Sequence, residues 1–144
     1  MYKHILVCVD DSAPAKYAFG VAHSLAEQLG ATLTAVHVAD PARERIPETV
    51  PSTGVVKDFG TGFGATLTDW CRELPGNVAV PELLVQEGSP AHIIHDLTDS
   101  MRWDLLVLGT KERGGLRSLL GNVTEEVLKH SDVPVLVVRH PAEQ

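Results

Sequence analysis

The chain has 144 residues, 44% of them hydrophobic and 22% charged, and a formal net charge of −7 from 12 Lys and Arg against 19 Asp and Glu. That length suits one ordinary core and that composition is globular, so a single domain over residues 1–144 is expected. The acidic balance argues against a nucleic-acid partner, and no apolar run reaches the ~20 residues that span a bilayer.

His4 to Val9 (HILVCV) is a continuous apolar run and predicts a strand buried on both faces, ended by Asp10-Asp11-Ser12. Ser12 is placed to cap a helix in which Ala15, Ala18, Ala22, Leu25 and Leu29 recur at spacings of three and four, with Gly30 to end it. Thr32 to Val38 (TLTAVHV) is a second strand. From Asp40 to Gly64, three prolines (Pro41, Pro47, Pro51) precede Gly54, Gly60, Gly62 and Gly64, and this stretch reads as a mobile, variable surface excursion. A helix from about Ala65 to Leu74 would bury Leu67, Trp70 and Cys71 on the sheet.

Val80 to Gln86 (VPELLVQ) is the third strand. Gly88-Ser89-Pro90 then opens a helix carrying Ile93, Ile94 and Leu97, with Ser89 as cap and Pro90 in the first turn. Asp104 to Leu108 (DLLVL) is the fourth strand, a short helix covers roughly Thr124 to His130, and Pro134 to Val138 (PVLVV) is the last strand. Five such runs separated by helices predict an α/β fold, an open parallel sheet with helices on both faces. The N-terminal MYKHILVCVDD lacks the long apolar stretch and cleavage site of a signal peptide, so a cytoplasmic setting without membrane contact is expected.

Cys8 and Cys71 fall in a strand and a helix without CxxC spacing and read as buried thiols. His92 and His95 share a helix with Asp96 and Asp99, but with no Cys or third His nearby a metal site is not expected there.

In an open parallel sheet, ligands bind outside the carboxyl ends of the strands. The fourth strand runs into DLLVLGTKERGGLRSLLGNVTEEVLKHSDVPVLVVRH, the informative third of the chain. Gly109 would let a planar base approach the backbone. Gly121-Asn122-Val123-Thr124 would open a helix whose free N–H groups favour a phosphate, and Lys111, Arg113 and Arg117 add positive charge to an acidic chain. A Walker A loop is excluded because Gly115-Leu116 stands where Lys and Ser or Thr are required.

This stretch resembles the ATP-binding signature of universal stress proteins, G-x2-G-x9-G-[ST], followed by a helix and a Pro-Val-Leu-Val-Val strand. HILVCVDDS resembles the family's opening strand with its terminal Asp, AVHV its second, and VQEGSPAHII its third strand and helix start. The resemblance implies strand order 3-2-1-4-5, a Rossmann-like, adenine nucleotide alpha hydrolase-like fold. It also implies a site for ATP, AMP or another adenine nucleotide. Val9, Asp10 and Val38 would frame the adenine and ribose, and Leu108 and Gly109 would pass the base edge. Arg113 would supply charge, and Gly121, Asn122, Val123 and Thr124 would hold phosphates. Asp10 would also share Mg2+ with the nucleotide. The chain departs from the pattern in three places. Glu112 replaces the second Gly, the spacing from Glu112 to Gly121 is one residue short, and Asn122 replaces Ser or Thr.

Asp10-Asp11 matches the acidic pair of a response-regulator receiver, but Gln86 and Arg139 stand where that module needs Asp and Lys. Nucleotidyl transferases of related fold carry a His-x-Gly-His motif that is absent. Gly60-Thr61-Gly62-Phe63-Gly64-Ala65 matches the dinucleotide expression but follows no strand that opens a βαβ unit. No base or transfer partner accompanies Asp10, so any ATP hydrolysis should be slow. The alternative within the family is a protein that holds no nucleotide and acts only through protein contacts, for which Glu112 and Asn122 are the discriminating residues. An apolar edge strand at 133–138 predicts a homodimer, and the resemblance implies the same antiparallel pairing.

Overall fold

The computed structural model describes residues 1–39, 41–42, 44–76, 78–100, 102–111 and 117–141. Strands β1 (His4–Cys8), β2 (Thr32–Ala39), β3 (Glu82–Glu87), β4 (Leu105–Lys111) and β5 (Val135–His140) form one parallel sheet in the order β3-β2-β1-β4-β5. Helices α1 (Ala13–Leu29), α2 (Gly62–Glu73), α3 (Pro90–Asp99) and α4 (Arg117–His130) connect them. This is the expected α/β architecture and order. No helix of the described residues is long and apolar enough to cross a membrane.

Strand alternation divides the core. Ile5, Val7, Ala35, Leu83 and Val107 pack with Ala18, Phe19 and Ala22 of α1 and Leu67, Trp70 and Cys71 of α2. Leu6, Val36, Leu84, Leu106 and Leu108 pack on the other face with Ile94 of α3, Val127 of α4 and Trp103. Central β1 has Ile5, Leu6 and Val7 fully buried, which is why its sequence shows no polar alternation.

Strand starts shift where the backbone lacks a donor. β3 begins at Glu82, after Pro81, and β5 at Val135, after Pro134, because proline offers no N–H to a ladder. The caps of α1 form as expected. Ser12 Oγ accepts the Ala15 N–H at 3.2 Å, and Gly30, at φ 68°, donates its N–H to the carbonyls of Ala26 and Glu27. Ser89 occupies the N-cap of α3, but its side chain makes no capping bond.

Two segments differ from the sequence reading. The excursion was expected to be mobile, yet part of it is tied to the sheet. Val55 bridges Leu84 antiparallel, the Val56 N–H donates to the Leu83 carbonyl at 2.9 Å, and the Val85 N–H donates to the Gly54 carbonyl at 2.8 Å. This covers the β3 edge, whose unpaired groups would otherwise remain open. The second correction is α4, which begins at Arg117 rather than near Thr124. Leu116, Leu119, Leu120, Val123 and Val127 continue the three-and-four spacing across Gly121, and one helical glycine costs only about 1 kcal/mol.

Candidate functional site

The strand order reverses between β1 and β4: β1 leads through α1 to β2 on one side, and β4 leads through α4 to β5 on the other. Their carboxyl ends part to leave the crevice where such sheets hold ligands. β2, β1 and β4 are neighbours, so their end residues lie within two strand spacings, about 10 Å.

Val9 continues from β1, buried, with its N–H donated to the Val36 carbonyl at 2.9 Å. Asp10 is exposed, and its Oδ1 accepts the Ser12 N–H at 2.9 Å. That bond turns the chain from β1 into α1 and fixes the carboxylate at the strand end. Val38, partly buried, and Leu108, buried, both belong to the α3/α4 face. Cys8, read from the sequence as a buried thiol, is only partly buried on the same face, where burial first, and then the Asp10 charge, push its thiol up to about 12. Asp10 thus stands over a neutral thiol and apolar side chains. Asp11, after β1, and Glu87, at the end of β3, are exposed carboxylates.

The structure therefore brings together Val9, Asp10, Val38 and Leu108. Gly109, expected to let a base approach the backbone, also meets a packing requirement of its own. A Cβ built there would lie 2.5 Å from the Pro14 carbonyl oxygen and 3.0 Å from the Ala18 Cβ. The glycine is required by the packing of α1 on β4, on the face opposite Leu108.

Gly121, Asn122, Val123 and Thr124 do not open α4; they are its fifth to eighth residues. Only the first four N–H groups of a helix lack intrahelical acceptors, so those of Gly121 to Thr124 fall within the ladder. Thr124 is buried. Glu112 and Arg113 lie outside the described residues.

Sequence reasoning missed His37 and Thr110. His37 is 4% exposed, with Nδ1 3.0 Å from the Val9 carbonyl and Nε2 3.0 Å from both carboxylate oxygens of Glu44. Its ring stacks on Phe63, centroids 4.1 Å apart and planes 10° from parallel. A carbonyl only accepts, so Nδ1 carries a proton and donates it to Val9. A histidine inside an apolar strand was the available signal, but nothing local named Glu44 or Phe63. Thr110, one residue past Gly109, is also buried.

His92 pairs with Asp96 at 3.4 Å along α3, and His95 lies edge-on to His130 of α4 at 6.1 Å. Among the described residues no group of three His, Cys, Asp or Glu side chains is arranged to hold a metal ion.

Comparison with known proteins agrees with this fold. The model of the Universal stress protein family matches residues 1–139. A universal stress protein of Staphylococcus aureus (strain USA300) is 32% identical over 142 residues, covering 96% of this chain and 84% of that protein. The crystal structure of a universal stress protein in complex with cAMP superposes with a TM-score of 0.66 at 22% identity, over 95% of this chain and 96% of that one. An Arabidopsis thaliana universal stress protein family protein with AMP bound gives a TM-score of 0.62 at 20% identity, over 97% and 93%.

Proposed function

The chain belongs to the universal stress protein family, and on that premise we propose that it binds ATP or a related adenine nucleotide as a regulatory module of the stress response. The observation that carries this reading is the meeting of Val9, Asp10, Val38 and Leu108 at the reversal between β1 and β4. Relatives of the same fold bound to cAMP and to AMP support it.

In this reading Val38 and Leu108 offer apolar surface to the adenine, while the Val9 backbone and the Asp10 carboxylate face base and ribose. A carboxylate accepts from ribose hydroxyls and repels phosphate unless a cation lies between them, and beyond that point the phosphates run on toward α4. Gly121, Asn122, Val123 and Thr124 can meet them through backbone N–H groups once the first turn of α4 opens, with Gly121 as the point of give. Arg113 adds positive charge from the preceding loop. Mg2+ needs only one or two carboxylates beside nucleotide phosphates, and Asp10 fits that donor set. The role is binding, with hydrolysis slow at most, in a cytoplasmic protein.

A homodimer through β5 belongs to the same proposal. The β3 edge is covered by residues 54–56, while the outer edge of β5 has no strand partner among the described residues, and its Val135, Leu136 and Val137 are only partly buried. Light scattering at micromolar concentration should give twice the chain mass; a monomer alone would refute the pairing.

Mass spectrometry of nucleotide released from the purified protein, followed by calorimetric titration with ATP and Mg2+ and with AMP, tests the central reading. Stoichiometric binding that Gly121→Val abolishes is expected. No released nucleotide and no heat at millimolar ATP would overturn it. That outcome would favour a nucleotide-free protein acting through protein contacts, the second reading, for which Glu112, Asn122 and the early start of α4 speak.

A further inference from the structure

A cavity of about 640 Å3 lies at the amino ends of β1, β2 and β3, the end of the sheet opposite the crevice. That volume is in the range of small-molecule sites. Its floor is polar where a doubly covered parallel sheet should be apolar. The α3/α4 face carries Leu6, Val36 and Leu84, but one step toward the amino ends the same alternation gives His4, Thr34 and Glu82, with Thr32 beyond. Among the described residues none from α3 or α4 lines this space. Trp103 walls it instead, buried, with its indole N–H donated to the Leu97 carbonyl of α3 at 3.1 Å.

The polar groups of the floor are held in place. His4 Nδ1 lies 3.0 Å from the Thr32 hydroxyl, and that hydroxyl donates to the Lys3 carbonyl at 3.2 Å. Thr34, buried, donates to Glu82 Oε1 at 3.4 Å, which leaves Glu82 Oε2 without a hydrogen-bond partner among the described residues. Arg102 places its guanidinium over the Trp103 ring, 4.8 Å from the centroid. Glu82 and Arg102 are both exposed and line the same cavity, yet neither makes an ion pair among the described residues. Opposite charges that share a cavity without bridging it suit a ligand that carries both signs.

We propose that this cavity binds a small zwitterion, a free amino acid or a short peptide, with its ammonium on Glu82 and its carboxylate on Arg102. An ionised carboxylate only accepts, so Glu82 selects the N–H end. The planar fork of Arg102 matches a carboxylate with two parallel N–H groups, and stacking on Trp103 limits its rotation. The site shares no residue with the crevice and does not rest on the nucleotide-binding reading.

The test is NMR titration of the whole chain with L-alanine, alanylalanine, N-acetylalanine, which lacks the ammonium, and alaninamide, which lacks the carboxylate. Alanine or alanylalanine at millimolar concentration should shift the Trp103 indole N–H and the amides of Thr34 and Glu82 saturably, and the tighter of the two identifies the source as free amino acid or peptide end. Each singly charged analogue should bind about tenfold more weakly or worse, the usual loss for a hydrogen bond to a charged group. Arg102→Gln should weaken the zwitterion by a similar factor and leave alaninamide unchanged; Glu82→Gln should do the same and leave N-acetylalanine unchanged. Both side chains are exposed, so both variants should unfold at the wild-type midpoint.

No saturable shift with either zwitterion would overturn the proposal. So would analogues that bind as tightly as the zwitterions, or Arg102→Gln weakening alaninamide as much as alanylalanine. If a variant unfolds early, the four-ligand series on wild type decides by itself.

Discussion

Gly109 and Pro14 are in contact across the sheet-to-helix interface so closely that a Cβ on Gly109 would sit 2.5 Å from the Pro14 carbonyl oxygen. The obstacle is backbone, so side-chain rotation cannot relieve it, and α1 would have to move off β4. Gly109→Ala should therefore cost about 2 kcal/mol of stability, the range of an overpacked core. Urea unfolding measures it. A loss below about 0.5 kcal/mol, the size of an ordinary surface change, would mean that the interface yields freely.

His37 joins the end of β1 to the segment after β2. Glu44→Gln keeps the shape of the side chain and removes its charge, weakening the bond to Nε2 while leaving that to the Val9 carbonyl. The Glu44 side chain is 41% exposed, so water competes and the loss should be about 1 kcal/mol or less. The more sensitive readout is limited proteolysis: cleavage within residues 44–53 should accelerate in Glu44→Gln and more so in His37→Ala, which also empties the stacking place beside Phe63. Unchanged cleavage in both variants would show that the bridge at Val55 and Leu84 alone holds the segment.

Asp104 secures the start of β1. Its Oδ2 accepts the N–H groups of Lys3, at 2.7 Å, and His4, at 2.8 Å, and these bonds hold its carboxyl below the usual carboxylate value. A carboxyl depressed in the folded state contributes stability above its unfolded value, and that contribution is lost as pH falls through the folded value. Below about pH 4, where unfolded Asp protonates, wild type should lose stability more steeply than Asp104→Asn. Urea midpoints between neutral pH and about pH 3 give both slopes. Parallel slopes would remove Asp104 from the acid response.

Cys8 should be unreactive in the folded protein. With its thiol pushed up to about 12, almost no thiolate exists near neutral pH, and burial likewise raises Cys71. Iodoacetamide at about pH 8, near the value of a free thiol, should label neither residue until denaturant is added, as followed by mass spectrometry. Asp10→Asn should speed labelling of Cys8 only slightly, because the Asp10 charge is the smaller cause and burial remains. Rapid native-state labelling of Cys8, which is only partly buried, would mean that its thiol is not held up in this way.

What the chain announces by itself are features whose cause is local. Five apolar runs read as strands because a doubly covered parallel strand must be apolar on both faces, and Ser12 and Gly30 mark the ends of α1 because a helix leaves unbonded groups there. The Asp10 strand end and the stretch from Gly109 to Thr124 also pointed to the family and to the crevice between β1 and β4. The remainder depends on partners distant in sequence. The sequence marks Gly109 as an opening for a base, but its second requirement comes from α1, 95 residues earlier, which sets the Pro14 carbonyl against it. Residues 54–56 read as part of a loose excursion until the β3 edge gave them hydrogen-bond partners. Ser89 had the right type and place for a cap, yet side-chain geometry withheld the bond. Thr110 carries no pattern at all, and its hydroxyl is buried without a partner only in the folded sheet. Periodicity and capping record what a residue's own element requires. Contact, burial and unmet hydrogen bonds arise only when elements dock, and docking decided which residues face the crevice.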